Sequence, residues 1–459
     1  MQPETDLSAP PPSSPHRHRP PAMTRGAEGD AETASGSLAR YLRTLALTAA
    51  ATFAAVWLWV LLAPMAYMDP EYPSWRAKSA LLDRCDLGDI LILGDSRAAA
   101  NILPARLPGK ATNLAVGGGE PIEAHAALTR ALACPTPPKQ VILSFDPGHF
   151  VRPDLFWERS VRFGFLASTD IAALRADSLR TGDLSVYAGH GTAFLPFRLR
   201  DVLEAARFPT FHFAALTHSL GILRWSRNEQ TYQTTLAARG QYSFGTDPGS
   251  DAVAIEGHLT AFHPLPVLDL YFDRLLSRLH ARRIDVRFLI MPVNQETWAS
   301  TDPAVRVAFR RYLAGYAARY DNVRIADNLP EHWPDRFFGD QFCHLNPEGA
   351  EKFSALLAQR LRQPPDTRKD ARNEWPDGVG RIAPDSDGRG SWTGIVPKPI
   401  PYGAGIAGLH VGPRRLLELG RRDPDRLRRG LDVAPGGVIH LDPLARALFG
   451  IPALRLAGG

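Results

Sequence analysis

Residues 44–63 carry no charged side chain. About 20 apolar residues, at roughly 1.5 Å each in a helix, match the hydrocarbon thickness of a bilayer. Within lipid only a helix satisfies all the backbone groups of such a segment by itself. The run and its flanks predict one transmembrane helix over residues 39–67. A cleaved signal peptide has a shorter apolar run, and no clear Ala-x-Ala site follows this one. Arg17, Arg19, Arg25, Arg40 and Arg43 precede the span while Asp69 and Glu71 follow it, which places the N-terminus in the cytoplasm. Trp57, Trp59, Tyr67 and Tyr72 lie toward the outer end, as an aromatic belt does. The chain beyond about residue 68 is then expected outside, in a bacterial inner membrane the periplasm, where disulfides are permitted.

The two ends read differently from the middle. Residues 1–38 are rich in Pro, Ser, Ala and Gly and predict a disordered cytoplasmic tail. Residues 363–459 hold only short apolar pieces among Arg, Gly, Pro and Asp, and predict a largely disordered C-terminal tail. The pI of about 9.2 comes from bases concentrated in these ends, with no basic motif interleaved with aromatics, so no nucleic-acid partner is expected. Three cysteines without a Cys-x-x-Cys pair exclude a disulfide scaffold and a structural zinc site. No metal and no cofactor are expected.

Between the tails, strand and helix patterns alternate. Ile90-Leu91-Ile92-Leu93 is an uninterrupted apolar run closed by Gly94, the pattern of a strand buried on both faces. Further strands are predicted over residues 111–116, 140–145, 286–291 and 322–326, with helices over 122–133, 268–282 and 304–319. The economical architecture is an α/β domain with a doubly wound parallel sheet, built from residues 69–149 and 266–362. In such a sheet ligands bind beyond the carboxyl ends of the strands, where Ser96, Gly118 and Asp146 fall. Residues 150–265 break the rhythm: they hold many aromatics and mixed helical patterning, and predict a helical insert that either caps the pocket or simply packs.

Gly94-Asp95-Ser96 places a serine where the first strand turns into a helix. Read alone, this is a βα turn with an N-cap serine. About 250 residues on, Asp340 and His344 precede Pro347-Glu348-Gly349, which opens a helix. A serine hydroxyl becomes a useful nucleophile when an imidazole takes its proton and a carboxylate fixes the imidazole tautomer. Ser96, His344 and Asp340 supply those three roles. Cys343, beside the histidine, reads as a buried small residue.

Together, Gly94-Asp95-Ser96, Asn113 with Gly118, and Asp340 through His344-Leu345-Asn346-Pro347-Glu348-Gly349 resemble the SGNH, or GDSL, hydrolase superfamily. More narrowly they resemble its membrane-anchored periplasmic branch, which includes alginate O-acetylation proteins and the D-alanyl-lipoteichoic-acid protein DltD. The resemblance implies a flavodoxin-like three-layer αβα sandwich and acyl transfer through a serine acyl-enzyme. It also implies an oxyanion hole from the amides of Ser96 and Gly118. The expected activity is transfer or hydrolysis of an acyl group, most simply acetyl, on an exported glycan, with a membrane-bound O-acyltransferase as partner in the transfer case.

Two departures stand against the family pattern. Its third motif carries an asparagine donor where this chain has Asp146, leaving that arm missing or supplied by His149 or Asn294. Its acid stands three residues before the histidine, whereas Asp340 stands four before; Asp327 is the alternative carboxylate. These departures support a second expectation, a catalytically inactive scaffold or glycan-binding subunit of a cell-envelope assembly. With strands in 2-1-3-4-5 order, Cys85 and Cys134 precede neighbouring strands, and a disulfide between them is expected if their Cα atoms lie within about 7 Å.

Overall fold

A computed structural model describes residues 26–153, 155–187, 196–213, 215–216, 222–326 and 329–362, with two short pieces at 433–434 and 438–439. Its helices, in chain order, are α1 Gly26–Leu62, α2 Pro64–Tyr67, α3 Tyr72–Asp83, α4 Ser96–Asn101, α5 Pro121–Ala131, α6 Ser168–Thr181, α7 Phe197–Ala205, α8 Ile222–Ala237, α9 Pro266–Ala281, α10 Gln295–Ser300, α11 Pro303–Arg319 and α12 Pro347–Arg362. The strands are β1 Ile90–Gly94, β2 Ala111–Asn113, β3 Gln140–Ser144, β4 Asp285–Phe288, β5 Val293–Asn294, β6 Val323–Ile325 and β7 His332–Trp333.

Helix α1 contains a 27-residue span, Gly36–Leu62, of mean hydropathy 2.1, long and apolar enough to cross a membrane. Only 6% of its apolar window is covered by the protein. The helix begins at Gly26, inside the stretch that composition assigned to the disordered tail: Ala27, Glu28, Ala31 and Glu32 are good helix formers and extend a ladder already nucleated by the span. It ends at Leu62 rather than near residue 67, because Pro64 lacks the amide that would continue it. Residues 1–25 lie outside the described residues.

Five strands form one parallel sheet in the order β2-β1-β3-β4-β6. β3 is central and β1 lies between it and edge strand β2, with Ile90 in register with Ala111 on one side and Gln140 on the other. Alternation along β1 sends Leu91 and Leu93 to a core shared with α3, α5, α9 and α11, and Ile90 and Ile92 to a second core shared with α4 and α12. Helices therefore cover both faces. Leu91, Ile92 and Leu93 are fully buried, each contributing about 1.5–3 kcal/mol of apolar transfer.

β1 takes in its whole apolar run and Gly94, while the other four strands of the sheet are shorter than the runs that predicted them. β2 stops at Asn113 because that side chain turns the backbone: its Oδ1 accepts from Ala115 N at 3.1 Å, and its Nδ2 donates to the carbonyls of Ala98 (2.9 Å) and Ile102 (3.1 Å). Cys85 and Cys134, just before β1 and β3, form a disulfide with Cα atoms 5.5 Å apart.

The insert is helical through α6, α7 and α8, then becomes a strap that leaves the turn at Arg239, runs without regular structure to Ala254 and ends in a 3-10 turn over Ile255–His258. Arg239 O accepts from Asn113 N at the β2 edge (2.9 Å), Tyr242 N donates to Ala99 O (3.1 Å), and Ser250 N donates to Asp335 O (3.0 Å). The strap thus runs across the carboxyl ends of the strands. In the C-terminal unit, Val433–Ala434 pairs antiparallel with Val438–Ile439. The remainder of the tail expected over 363–459 lies outside the described residues.

Candidate active site

The turn after β1 requires its glycine. Gly94 has φ +148°, and a Cβ there would collide with Ser144 O. Asp95, not Ser96, is the N-cap of α4: its Oδ1 accepts from Arg97 N (2.9 Å) and Ala98 N (3.1 Å), and its Oδ2 from Asp146 N (2.8 Å). Ser96 is therefore released from capping. It is partly exposed, and its hydroxyl makes no hydrogen bond among the described residues. The Gly117-Gly118-Gly119 turn lies against the same strand end. Val116 N donates to Gly94 O (3.1 Å), and a Cβ on Gly119 would come within 2.7 Å of that carbonyl. Gly118 takes φ +67°, a left-handed conformation that side chains disfavour.

The histidine loop is closed at its base by Gly339 N donating to His344 O (2.8 Å) and Asn346 N to Phe337 O (2.9 Å). Inside it Asp340 Oδ1 accepts from Phe342 N (2.9 Å) and His344 N (3.3 Å), while Oδ2 meets His344 Nδ1 at 2.5 Å. The extra residue between acid and histidine is absorbed by this side-chain turn and by Cys343, which adopts φ +61°. Burial pushes the Asp340 carboxyl up, but the His344 hydrogen bond and charge, with the two amides, hold it below the ordinary carboxylate range. His344 is 3% exposed, and its Nε2 is buried with no hydrogen-bond partner. Asp327, the other carboxylate considered, lies outside the described residues.

Two bonds tie this loop to the helix that Ser96 begins. Arg97 Nε donates to Phe342 O (3.0 Å), and Leu345 N donates to Asn101 Oδ1 (2.9 Å). Residues flanking the histidine are thus anchored to both ends of α4, so hydroxyl and imidazole share one rim of the sheet without bonding to each other. Phe244, from the strap, stacks on His344 with ring centroids 4.5 Å apart at 23°. Its Cε1 would lie 3.0 Å from a Cβ on Gly117, and that same position also faces Arg159 Nη1 and Glu71. Glu71 pairs with Arg159 at 2.7 Å, yet burial outweighs that partner and raises its carboxyl. Nearby Lys78 is fully buried with its Nζ on Ala115 O, and burial lowers it to about 7.

Beside this lies a second charged cluster. Arg97, 3% exposed, forms a two-pronged pair with Glu256, one arm at 2.7 Å, and approaches Asp146 at 3.7 Å. Asp146 Oδ1 accepts from Gly148 N (2.7 Å) and His149 N (3.3 Å). Burial pushes the Asp146 carboxyl up, but His149, Arg97 and these amides keep it low, so it accepts and does not donate. Asn294 is not an oxyanion donor either: its Nδ2 serves Ser250 O (3.0 Å) and Ala252 O (2.8 Å) and its Oδ1 caps Thr297 N. His149 faces the carboxylates, with Nε2 3.5 Å from Asp146 and 3.9 Å from Asp95.

Asp95, Asp146 and His149 bring ligand atoms within 4.8 Å of one another, the cluster among the described residues closest to a metal-binding arrangement. Three of the four carboxylate oxygens accept from backbone amides, and the fourth, Asp146 Oδ2, lies 3.5 Å from His149 Nε2 and 3.7 Å from Arg97. Cys343 is buried against Thr297 Oγ1 at 3.5 Å, and burial pushes its thiol up, as suits a packing residue.

Arg97, Glu256, Phe244 and Arg159 escaped the sequence reading, and Glu71 entered it only as a charge flanking the span. Arg97 stood next to Ser96 in the motif, but its partner is 159 residues away. No family model, curated protein or solved structure matches the chain.

Proposed function

We propose that the chain is a membrane-anchored serine acyltransferase or esterase of SGNH type. It acts on acyl esters, most simply acetyl, of exported glycans from the outer side of a bacterial inner membrane. The observation that carries this reading is the His344 imidazole: Asp340 holds Nδ1, leaving Nε2 buried and unpartnered on a loop tied to the helix that Ser96 begins. A buried polar atom without a partner is costly in a structural role and useful in a catalytic one.

In this reading Nε2 takes the Ser96 proton as Oγ attacks the ester carbonyl carbon. The tetrahedral oxyanion is met by the amides of Ser96 and Gly118. His344 returns the proton to the departing alcohol, and a glycan hydroxyl or water then accepts the acyl group by the reverse sequence. Apo sites often hold such contacts open until substrate binds, consistent with the absent Ser96–His344 bond. In the transfer case a membrane-bound O-acyltransferase supplies the acyl group.

One arrangement favours an inactive scaffold or glycan-binding subunit instead: Phe244 covers the imidazole, and Asp146 occupies the place of the third donor. The full-length protein in lipid nanodiscs, assayed on p-nitrophenyl acetate against Ser96→Ala, separates the two. The enzyme reading expects the variant to lose roughly a thousandfold or more. Equal rates would leave the scaffold.

A further inference from the structure

Helix α7 is inside out. Its buried face carries Phe197, Arg200 and Glu204. Arg200 lies over the Trp157 ring at 4.3 Å and pairs with Glu158 at 3.3 Å, while Glu204 accepts from Arg162 at 2.9 Å. Its outward face carries Leu199, 45% exposed, and Val202, 61% exposed, three residues apart and hence on one stripe, with exposed Arg198 at its start, where a long side chain can carry its charge to the lipid headgroups. A helix bordering water shows the opposite arrangement, with apolar groups in and charges out.

The chain leaving α7 runs directly onto α1. Trp57 Nε1 donates to Ala206 O at 2.8 Å, and the Phe208 ring packs on Phe53 (5.7 Å) and Trp57 (5.3 Å). Phe53 precedes the end of α1 at Leu62 by nine positions, about 13 Å of helix, against a hydrocarbon half-thickness of about 15 Å. After Arg43 the helix bears no charge to its end, so the hydrocarbon begins close to Leu62 on the side of the α/β domain. Arg207 extends back toward that end, with Nη1 3.5 Å from Leu61 O. Trp225, 48% exposed, sits on α8 next to Arg224, whose Nη1 donates to Met68 O at 3.1 Å, just past the span. Tryptophan at that height is typical of a membrane boundary.

We propose that the insert is a shoulder embedded in the membrane beside α1. The outward stripe of α7 and the 206–208 turn occupy the lipid leaflet on the side of the α/β domain, with Trp225 at the water boundary. The occupant of the apolar stripe is lipid, because the stripe is continuous with a helix surface that the protein leaves uncovered. The proposal rests on α1 crossing the bilayer and is independent of the chemistry at Ser96.

Full-length protein in nanodiscs of pure phosphatidylcholine and phosphatidylglycerol tests it. Single cysteines introduced as Val202→Cys, Leu58→Cys and Val307→Cys are labelled with a polarity-sensitive fluorophore, and the parent protein serves as blank. Spin-labelled lipid is expected to quench the label at position 202 as it does at 58, at least several-fold more than at 307. Quenching at 58 with 202 behaving like 307 overturns the shoulder, and a protein occupant of the stripe gives that same result in pure lipid. Absence of quenching at 58 overturns the spanning helix and the shoulder with it. All three positions are exposed, so the labels do not enter a packed core.

Discussion

The half-buried Asp340–His344 pair and the buried Arg97–Glu256 pair both fix the histidine loop, yet they handle polar atoms in opposite ways. Arg97 distributes its donors over Glu256, Asp146 and Phe342 O, and Glu256 answers with both oxygens. Asp340 serves only its own loop, and His344 keeps Nε2 unbonded. Saturated hydrogen bonding holds three distant chain segments together. One unsaturated nitrogen is left against that rigid support, and in the proposed function it is the atom that meets the reacting groups.

The largest expected effect tests the unsaturated side. In the enzyme reading Asp340→Asn should cut ester hydrolysis by roughly ten-thousandfold through loss of the correct imidazole tautomer, with a urea midpoint lowered by less than that of a broken buried pair because the partly exposed carboxylate loses only its own loop contacts. A stability loss as large as that of a broken buried pair would show the two clusters to be alike. Next, Glu256→Gln leaves buried Arg97 with only the more distant Asp146, at 3.7 Å, as counter-charge and should cost about 3 kcal/mol in urea denaturation. Replacing both partners, with Arg97→Met and Glu256→Leu, should recover part of that loss.

A smaller effect concerns acid. The Asp340 carboxyl is lower in the folded chain than its ordinary value, so its contribution is complete above about pH 4 and is lost as pH falls through the lower folded value. Urea midpoints measured from pH 6 to pH 3 should fall less steeply in His344→Gln than in the parent. Smallest, Phe244→Ala removes two ring contacts, to His344 and Tyr242, and should cost about 1–2 kcal/mol. Diethyl pyrocarbonate should then modify His344 faster than in the parent; an unchanged rate would mean that the stacked ring does not shield the imidazole.

What could be read from the chain beforehand was local. The strand before Ser96 announced itself by four consecutive apolar residues, and strict alternation between two cores explains why none could be polar. The uncharged run of α1 was equally plain. The loop of His344 was legible as a motif, whereas the way Asp340 bridges a spacing one residue too long depended on backbone angles at Cys343 that no composition encodes. Asn294 looked like a spare amide until the strap claimed its hydrogen bonds. Glu256 and Phe244 sat in a segment without periodic pattern, and their meaning comes from partners far along the chain. The polar interior of α7 was hidden for the same reason.

The bridge between Cys85 and Cys134 clamps the segments entering β1 and β3, at the far ends of those strands from Ser96. A reductant that opens it would loosen the floor of the sheet and leave the rim's contacts intact. The damage should register first as a shortened lifetime of the folded chain, with the rim of each surviving molecule keeping its geometry.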